Sequence, residues 1–180
     1  VFSIPLTYST GNRPLYMTVD DFDGDGFADI ITANANSATV SFLRNDRTGF
    51  YVDAVDSSPQ VSDIRAVASG DLDLDGDLDL VIAGAGGVAI LHNDGRGGFV
   101  HDSFIDAGQD GDLALTNPFR SVVVADLNQD GRLDIAMAGF RGLYISMNEG
   151  LGTFSSALSA SATGHNSALA AGDMDNDGDI

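Results

Sequence analysis

The chain of 180 residues contains no cysteine, no tryptophan and no lysine, and its single glutamate is Glu149. Without cysteine it has neither disulfide bonds nor thiolate chemistry. Lysine and glutamate are the charged residues that helices favour, whereas aspartate and the 22 glycines of this chain favour loops. These absences argue against helices before any periodicity is considered.

Positive charge is also scarce. The sequence has 8 arginines against 27 acidic residues, and its formal net charge is −19. A nucleic-acid partner needs a basic face, so we predict none. No apolar run approaches the roughly 18 residues of a membrane-spanning helix, which predicts no membrane insertion.

The motifs of common catalytic centres are missing, and we predict that the chain is not an enzyme. The sequence has no G-x-S-x-G, no H-E-x-x-H and no phosphate-binding P-loop. The histidines are His92, His101 and His165, and none lies in a recognisable motif. We interpret them as surface or strand residues.

What the sequence does contain is an acidic loop repeated four times. The copies begin at Asp21, Asp71, Asp126 and Asp173, which are 50, 55 and 47 residues apart. Oxygen-bearing side chains occupy positions 1, 3 and 5 of each loop, and a glycine follows at position 6. Alternate side chains of a curled loop converge on one point, and hard oxygen ligands favour Ca²⁺. The alternative, a solvated acidic turn without metal, fits one copy better than four.

We predict that side chains at positions 1, 3, 5 and 9 and the backbone carbonyl at position 7 hold about four Ca²⁺ ions. The side-chain ligands of the complete loops are Asp21, Asp23, Asp25, Asp29, Asp71, Asp73, Asp75, Asp79, Asp126, Asn128, Asp130 and Asp134. The carbonyls are those of Phe27, Asp77, Arg132 and Asp179. The fourth loop offers Asp173, Asp175 and Asp177, and the sequence stops before its position 9, so we expect an incomplete site there.

A second motif, N-x-x-x-G followed by Phe, recurs after each complete loop, at 45–50, 93–99 and 148–154. Asn, Asp and Gly tolerate the positive φ of hairpin turns, so the motif predicts a turn between two strands. Each repeat then comprises four short strands. These are 15–19, 28–32, 39–44 and 50–55; 65–69, 78–83, 88–92 and 99–105; 121–125, 133–138, 143–147 and 154–158; and 167–171 in the last repeat. The segment 107–118 links two repeats.

The loop pattern and the period together resemble the FG-GAP/VCBS-type repeat, found in integrin α-subunit heads and fungal propeller lectins. The resemblance implies an all-β, β-propeller-type domain over 1–180 with four-stranded antiparallel blades and calcium in the loops. About three and a half repeats are present, at approximately 1–56, 57–106, 107–160 and, in part, 161–180. A seven-bladed ring needs roughly twice this length. We therefore expect a fragment of such a ring, with self-association through open propeller edges as the alternative.

Candidate ligand-binding residues lie outside the loops. Arg65 and Arg120 each stand six residues before a loop and are able to bind carboxylate or hydroxyl groups, although a salt bridge to a nearby Asp is the simpler interpretation. Phe140 and Tyr144 belong to a stretch that resembles the third-strand region of the fungal lectins and offers rings for sugar stacking. Packing between blades is the alternative.

From these features we expect an extracellular or cell-surface recognition module that binds a glycan or a protein, with Ca²⁺ as a structural ion. Millimolar extracellular calcium fills even weak loops of this kind. One alternative is a structural or self-assembling module of a surface protein. Another is a non-catalytic domain of a secreted polysaccharide-degrading enzyme.

Overall fold

The computed structural model describes residues 6–52, 54–85, 87–106, 119–139, 142–161 and 168–173. These residues form strands, turns and loops and no helix, which confirms the predicted all-β class. The described part of the chain accordingly holds no helix with the length and hydropathy of a membrane span.

The strands form three successive four-stranded antiparallel sheets, which we call blades 1, 2 and 3. Blade 1 contains β1 (Pro14–Asp20), β2 (Asp29–Asn34), β3 (Thr39–Leu43) and β4 (Val55–Ser57). Blade 2 contains β5 (Ala66–Gly70), β6 (Asp79–Gly84), β7 (Gly87–Asn93) and β8 (Phe99–Asp106). Blade 3 contains β9 (Phe119–Ala125), β10 (Asp134–Gly139), β11 (Gly142–Ser146) and β14 (Leu158–Ser161). The short hairpin of β12 (Asn148–Gly150) and β13 (Thr153–Phe154) lies between β11 and β14.

The four strands of each blade pair in chain order, so each blade is a meander, and in blade 3 the β12–β13 hairpin is inserted before the last strand. The central strands are almost continuously apolar, as in β6 with its Leu-Val-Ile-Ala run, and every residue of β6 is buried. Burial on both faces requires a layer on each side of the sheet, and neighbouring blades supply those layers.

Two apolar clusters hold the blades together. Between blades 1 and 2, the rings of Phe22, Phe42 and Phe99 meet edge to face, with centroids 5.9 to 6.4 Å apart. Such aromatic pairs contribute beyond the area that they bury. Between blades 2 and 3, Ile90 of β7 and Met137 of β10 belong to one cluster and are both fully buried. The blades are therefore joined by core packing as well as by the chain.

The fourth strands of blades 1 and 3 begin later than the sequence pattern predicts. The predicted strand at 50–55 is replaced by β4 at Val55–Ser57, and the one at 154–158 by β14 at Leu158–Ser161. In blade 1 the turn extends to Phe50, because the Asp46 N–H donates a hydrogen bond to the Phe50 carbonyl at 2.8 Å. The turn motif therefore uses the residues that the pattern assigned to the strand. Blade 2 matches its prediction, since β8 begins at Phe99.

The predicted first strand of the fourth repeat, at 167–171, forms no strand within its described residues, 168–171. This segment still runs beside β9, because the Leu169 N–H donates to Ser121 Oγ at 2.9 Å. A side-chain acceptor does not continue a backbone ladder, which is why the segment is not a strand. The link at 107–118, Phe140 and loop residues Asp175, Asp177 and Asp179 lie outside the described residues.

Candidate functional site

The three complete acidic loops occupy equivalent places, between the first and second strands of their blades. β1 and β2 pair from Asp20 with Asp29 onwards, so the loop at 21–28 closes this hairpin. The loops at 71–78 and 126–133 close the β5–β6 and β9–β10 hairpins in the same way. All three loops therefore stand at the same end of their blades.

In the first loop the carboxylates already face inward and accept backbone hydrogen bonds. Asp21 accepts the N–H groups of Asp25 and Gly26 at 3.0 and 2.8 Å, and Asp25 accepts that of Phe27 at 2.9 Å. One carboxylate oxygen each of Asp21, Asp23 and Asp29 lie within 4.8 Å of one another. Three carboxylates at this spacing repel each other unless a cation lies among them, so the residues fit a hard divalent ion.

The carboxylate at position 9 ties the loop to the turn motif of its own blade. Asp29 is fully buried and accepts the N–H of Phe22 at 3.1 Å and that of Asn45 at 2.7 Å. Asp79 and Asp134 make the same pair of bonds in blades 2 and 3. Burial raises the pKa of Asp29 and that of Asp79 above the usual range. Each of these carboxylates thus anchors its loop to the turn motif. Each of its oxygens keeps a lone pair near the loop that these two hydrogen bonds do not use.

The second loop contains an oxygen atom that lacks a partner. Asp71 Oδ1 is buried and has no hydrogen-bond partner, whereas its counterparts in the other loops accept a backbone N–H. Oxygens of Asp71, Asp73 and Asp75 lie within 4.8 Å of one another. An unpartnered buried oxygen is costly, and a cation at this point would satisfy it. The donor set of this loop therefore fits Ca²⁺.

The residue before the motif asparagine faces position 3 of each loop, and its chemistry differs from blade to blade. In blade 1 an Arg44 Nη1 lies 3.9 Å from Asp23, and in blade 2 the His92 Nδ1 lies 3.4 Å from Asp73. In blade 3 the sulfur of Met147 is 4.0 Å from Asn128 Nδ2. The three loops consequently have the same backbone and different electrostatics. In the first, Arg47 also pairs with Asp25 at 2.8 Å and lowers the pKa of that carboxyl.

A cleft opens between the outer part of blade 2 and the hairpin of blade 3, with a volume of about 390 Å³. Its blade 2 wall comes from β8, where Phe104 is 43% exposed and where Asp102 and Asp106 stand beside it. Its blade 3 wall includes Thr153 and Ser155. The volume is that of a small-molecule site, and the lining combines one exposed ring with carboxylates and hydroxyls.

The other predicted ligand residues are dispersed. Arg65 pairs with Asp63 at 2.6 Å, and Arg120 is exposed on β9. The Tyr144 ring packs edge-on against Phe119, with centroids 5.5 Å apart, and joins the core between blades 2 and 3. These residues do not converge on the cleft.

Sequence reasoning missed the cleft residues and treated His92 as an ordinary strand histidine. Phe104 and Asp102 belong to β8 and carry no motif, so no local signal marks them. His92 does carry a signal, because alignment of the three turn motifs places it opposite Arg44 and Met147. The residue at this position differs among the three copies, and only in the second is it a possible metal ligand with a ring nitrogen.

A family model described as an FG-GAP-like repeat matches residues 21–82, 71–137 and 126–180. Each match begins at the first residue of an acidic loop and runs through the next loop. The matches together span the chain from the first loop to its last residue. A comparison with curated proteins gave no match.

Among solved structures, the chain is similar to a lectin from Agrocybe aegerita, whose description is the specific recognition of non-reducing terminal N-acetylglucosamine. The two share 28% sequence identity and superpose with a TM-score of 0.56. The alignment covers 81% of this chain and 38% of the lectin, so the chain spans well under half of the lectin's length.

Proposed function

This chain belongs to the FG-GAP-like repeat family, and on that basis we propose that it is an extracellular glycan-recognition module whose loops are stabilised by Ca²⁺. The cleft between blades 2 and 3 carries the glycan part of the proposal. The similarity to a lectin supports it, because that alignment covers 81% of this chain. The role is one of binding and not of catalysis.

The lining of the cleft suits a sugar ring. An apolar sugar face stacks on an aromatic ring, and Phe104, which lines the cleft, is 43% exposed to solvent. Sugar hydroxyls donate to carboxylates, and Asp102 and Asp106 flank that ring on the same strand. The hydroxyls of Thr153 and Ser155 on the opposite wall both donate and accept. Stacking and polar groups thus converge from two blades.

Calorimetric titration with a glycan that ends in N-acetylglucosamine tests the proposal. We expect saturable binding that Phe104→Ala weakens about tenfold, since an aromatic contact contributes roughly 0.5–1.5 kcal/mol beyond its buried area. Val100→Ala is the matched control, because Val100 is exposed on the same strand outside the cleft and its loss leaves the affinity unchanged. Equal affinity in the Phe104 variant and the native protein would place the sugar elsewhere.

Calcium is proposed as the ion of the acidic loops. The support is the convergence of Asp21, Asp23 and Asp29 in the first loop and of Asp71, Asp73 and Asp75 in the second. Ca²⁺ accepts six to eight oxygens, so these sets leave room for the backbone carbonyl at position 7 and for water. The ion would neutralise the repulsion among the carboxylates and fix each loop between its two strands.

Removal of calcium is the direct test of this role. We expect EGTA to lower the melting temperature. A Ca²⁺ concentration of about 100 times the Kd of a site adds about 2.7 kcal/mol to the free energy of unfolding, and EGTA removes that contribution. Asp75→Ala should remove one equivalent from the calorimetric Ca²⁺ stoichiometry, whereas Asp56→Ala, which changes an Asp of β4 outside the loops, should keep it. A melting temperature that EGTA leaves unchanged would exclude a structural role for the ion.

A further inference from the structure

The second loop differs from the other two because an imidazole, that of His92, lies beside its carboxylates. His92 Nδ1 lies 3.4 Å from Asp73 Oδ2 and 3.3 Å from Asp79 Oδ1. Ligands that lie 2.0–2.1 Å from a tetrahedral ion are separated by about 3.3 Å from one another. The nitrogen therefore lies at about this spacing from each of the two oxygens, and ligand atoms of all three residues lie within 4.8 Å of one another.

The Nδ1 atom makes no hydrogen bond, although two carboxylate oxygens lie at ion-pair distance from it. It is also buried. A buried polar nitrogen without a hydrogen bond is costly, and coordination to a metal would satisfy it. Asp79 has capacity to share in that coordination, because its Oδ1 accepts one hydrogen bond, from the Asn93 N–H, and retains a second lone pair.

A third carboxylate stands on the far side of the ring. Coordination of a metal through Nδ1 requires the tautomer with its proton on Nε2, and the carboxylate of Asp102, whose Oδ2 lies 3.6 Å from Nε2, would stabilise that proton electrostatically. That tautomer leaves Nδ1 unprotonated and directed at Asp73 and Asp79. The order carboxylate, histidine, metal is the usual arrangement of a ligating histidine, in which the outer carboxylate orients the ring.

The other two loops do not share this arrangement. Arg44 and Met147 stand at the positions equivalent to His92, and a guanidinium is never a ligand at neutral pH. A thioether is a soft ligand that does not suit a hard cation such as Ca²⁺, and Met147 offers no ring nitrogen. The mixed nitrogen and oxygen set is thus a property of the second loop alone among the three described loops.

We propose that the second loop contains a site for a borderline divalent cation of the Zn²⁺ class, formed by His92 Nδ1 and the carboxylates of Asp73 and Asp79. Imidazole and carboxylate together suit Zn²⁺, whereas calcium prefers oxygen alone. This site goes beyond the calcium role proposed above. Asp73 belongs both to this set and to the oxygen set of Asp71, Asp73 and Asp75, so the two ions compete for the loop.

Titration of the calcium-free chain with Zn²⁺ by calorimetry tests the site. We expect one high-affinity equivalent, which His92→Gln weakens at least about 100-fold, since loss of an outer-shell partner alone costs 10–100-fold. Asp102→Asn should weaken it within that smaller range. His101→Gln is the matched control on the neighbouring strand and should keep the native affinity. Equal Zn²⁺ affinity in the His92 variant and the native chain would overturn the proposal.

The ring nitrogens of the native protein provide a second measurement that does not depend on the folding of a variant. In ¹⁵N-edited NMR spectra, Zn²⁺ should shift the Nδ1 resonance of His92 and leave its Nε2 protonated. An unshifted Nδ1 resonance at saturating Zn²⁺ would contradict the proposed site. Asp75→Ala separates the two metal proposals, because it removes an oxygen of the calcium set only. Retained Zn²⁺ binding in that variant supports the zinc site whatever the outcome of the Ca²⁺ titration.

Discussion

At the residue scale, the motif asparagine connects one blade to the next. The Asn93 side-chain amide donates to the Phe22 carbonyl of blade 1 at 2.8 Å and to the Leu78 carbonyl of its own blade at 3.0 Å. Asn148 makes the same pair of bonds one blade later, to the carbonyls of Leu72 and Leu133. Asn45 bonds only within blade 1, to the Ala28 carbonyl.

We expect Asn148→Ala to lower the free energy of unfolding by about 1–3 kcal/mol, because it leaves a buried carbonyl of blade 2 without its donor. The loss is measured by urea denaturation. Asn45→Ala is the internal control, since Asn45 accepts the same kind of turn bond through its Oδ1 but has no bond to a second blade among the described contacts. A similar loss in both variants would show that the asparagine acts within the turn and not between blades.

At the scale of the element, contact with the preceding blade constrains the turn motifs of blades 2 and 3. Gly49, Gly97 and Gly152 are equivalent, and all have positive φ, at 91°, 76° and 69°. A Cβ at Gly97 would overlap the ring of Phe42, and one at Gly152 would lie 2.8 Å from His92 Cε1. At Gly49 it would meet nothing within 4 Å. The second and third turns therefore pack against the preceding blade.

Alanine at these glycines separates backbone strain from packing. Gly49→Ala carries only the conformational cost, of roughly 1–2 kcal/mol. Gly97→Ala carries that cost together with the displacement of the Phe42 ring, which adds about 1–3 kcal/mol. Thermal or urea unfolding of the two variants gives the difference. Equal stability would show that the turn of blade 2 does not rest on Phe42.

At the scale of the whole molecule, the packing of successive blades leaves apolar side chains of β1, the first strand of blade 1, exposed to solvent. β5 lies against β1, and β9 lies against β5. β1 itself exposes Leu15, Met17 and Val19, with 39%, 57% and 50% of their surfaces in contact with solvent. By the repeat of the structure, the neighbour that fits β1 is another blade of this type, and in a solution of the 180-residue chain by itself a second copy can supply one.

We therefore expect this chain to self-associate in a concentration-dependent manner, measured by light scattering after gel filtration. Met17→Glu should shift the population towards the monomer, because a carboxylate at the centre of the exposed strand opposes its burial. Val100→Glu introduces the same charge at an exposed position of β8 and should leave the association unchanged. A native chain that is monomeric at all concentrations would contradict the expectation.

The sequence by itself determined the features that depend on a few consecutive residues. The acidic loops and turn motifs specify their own conformations through glycines and through side chains that bond within about nine residues, so their period revealed the repeats and most strands. β4 begins later than predicted because the turn of blade 1 continues past Phe50, which the strand propensity of Tyr51 and its neighbours does not show. In blade 3 the β12–β13 hairpin ends at Phe154, and β14 begins after it, at Leu158.

Only the tertiary structure determined which contacts form between the repeats. The Asn93 and Asn148 amides reach carbonyls that are 71 and 76 residues away in the chain, and no pattern along the sequence encodes such a distance. The cleft beside Phe104 arises in the same way. It exists because the blades pack face to face through their apolar clusters, and that packing sets which side chains meet at each junction.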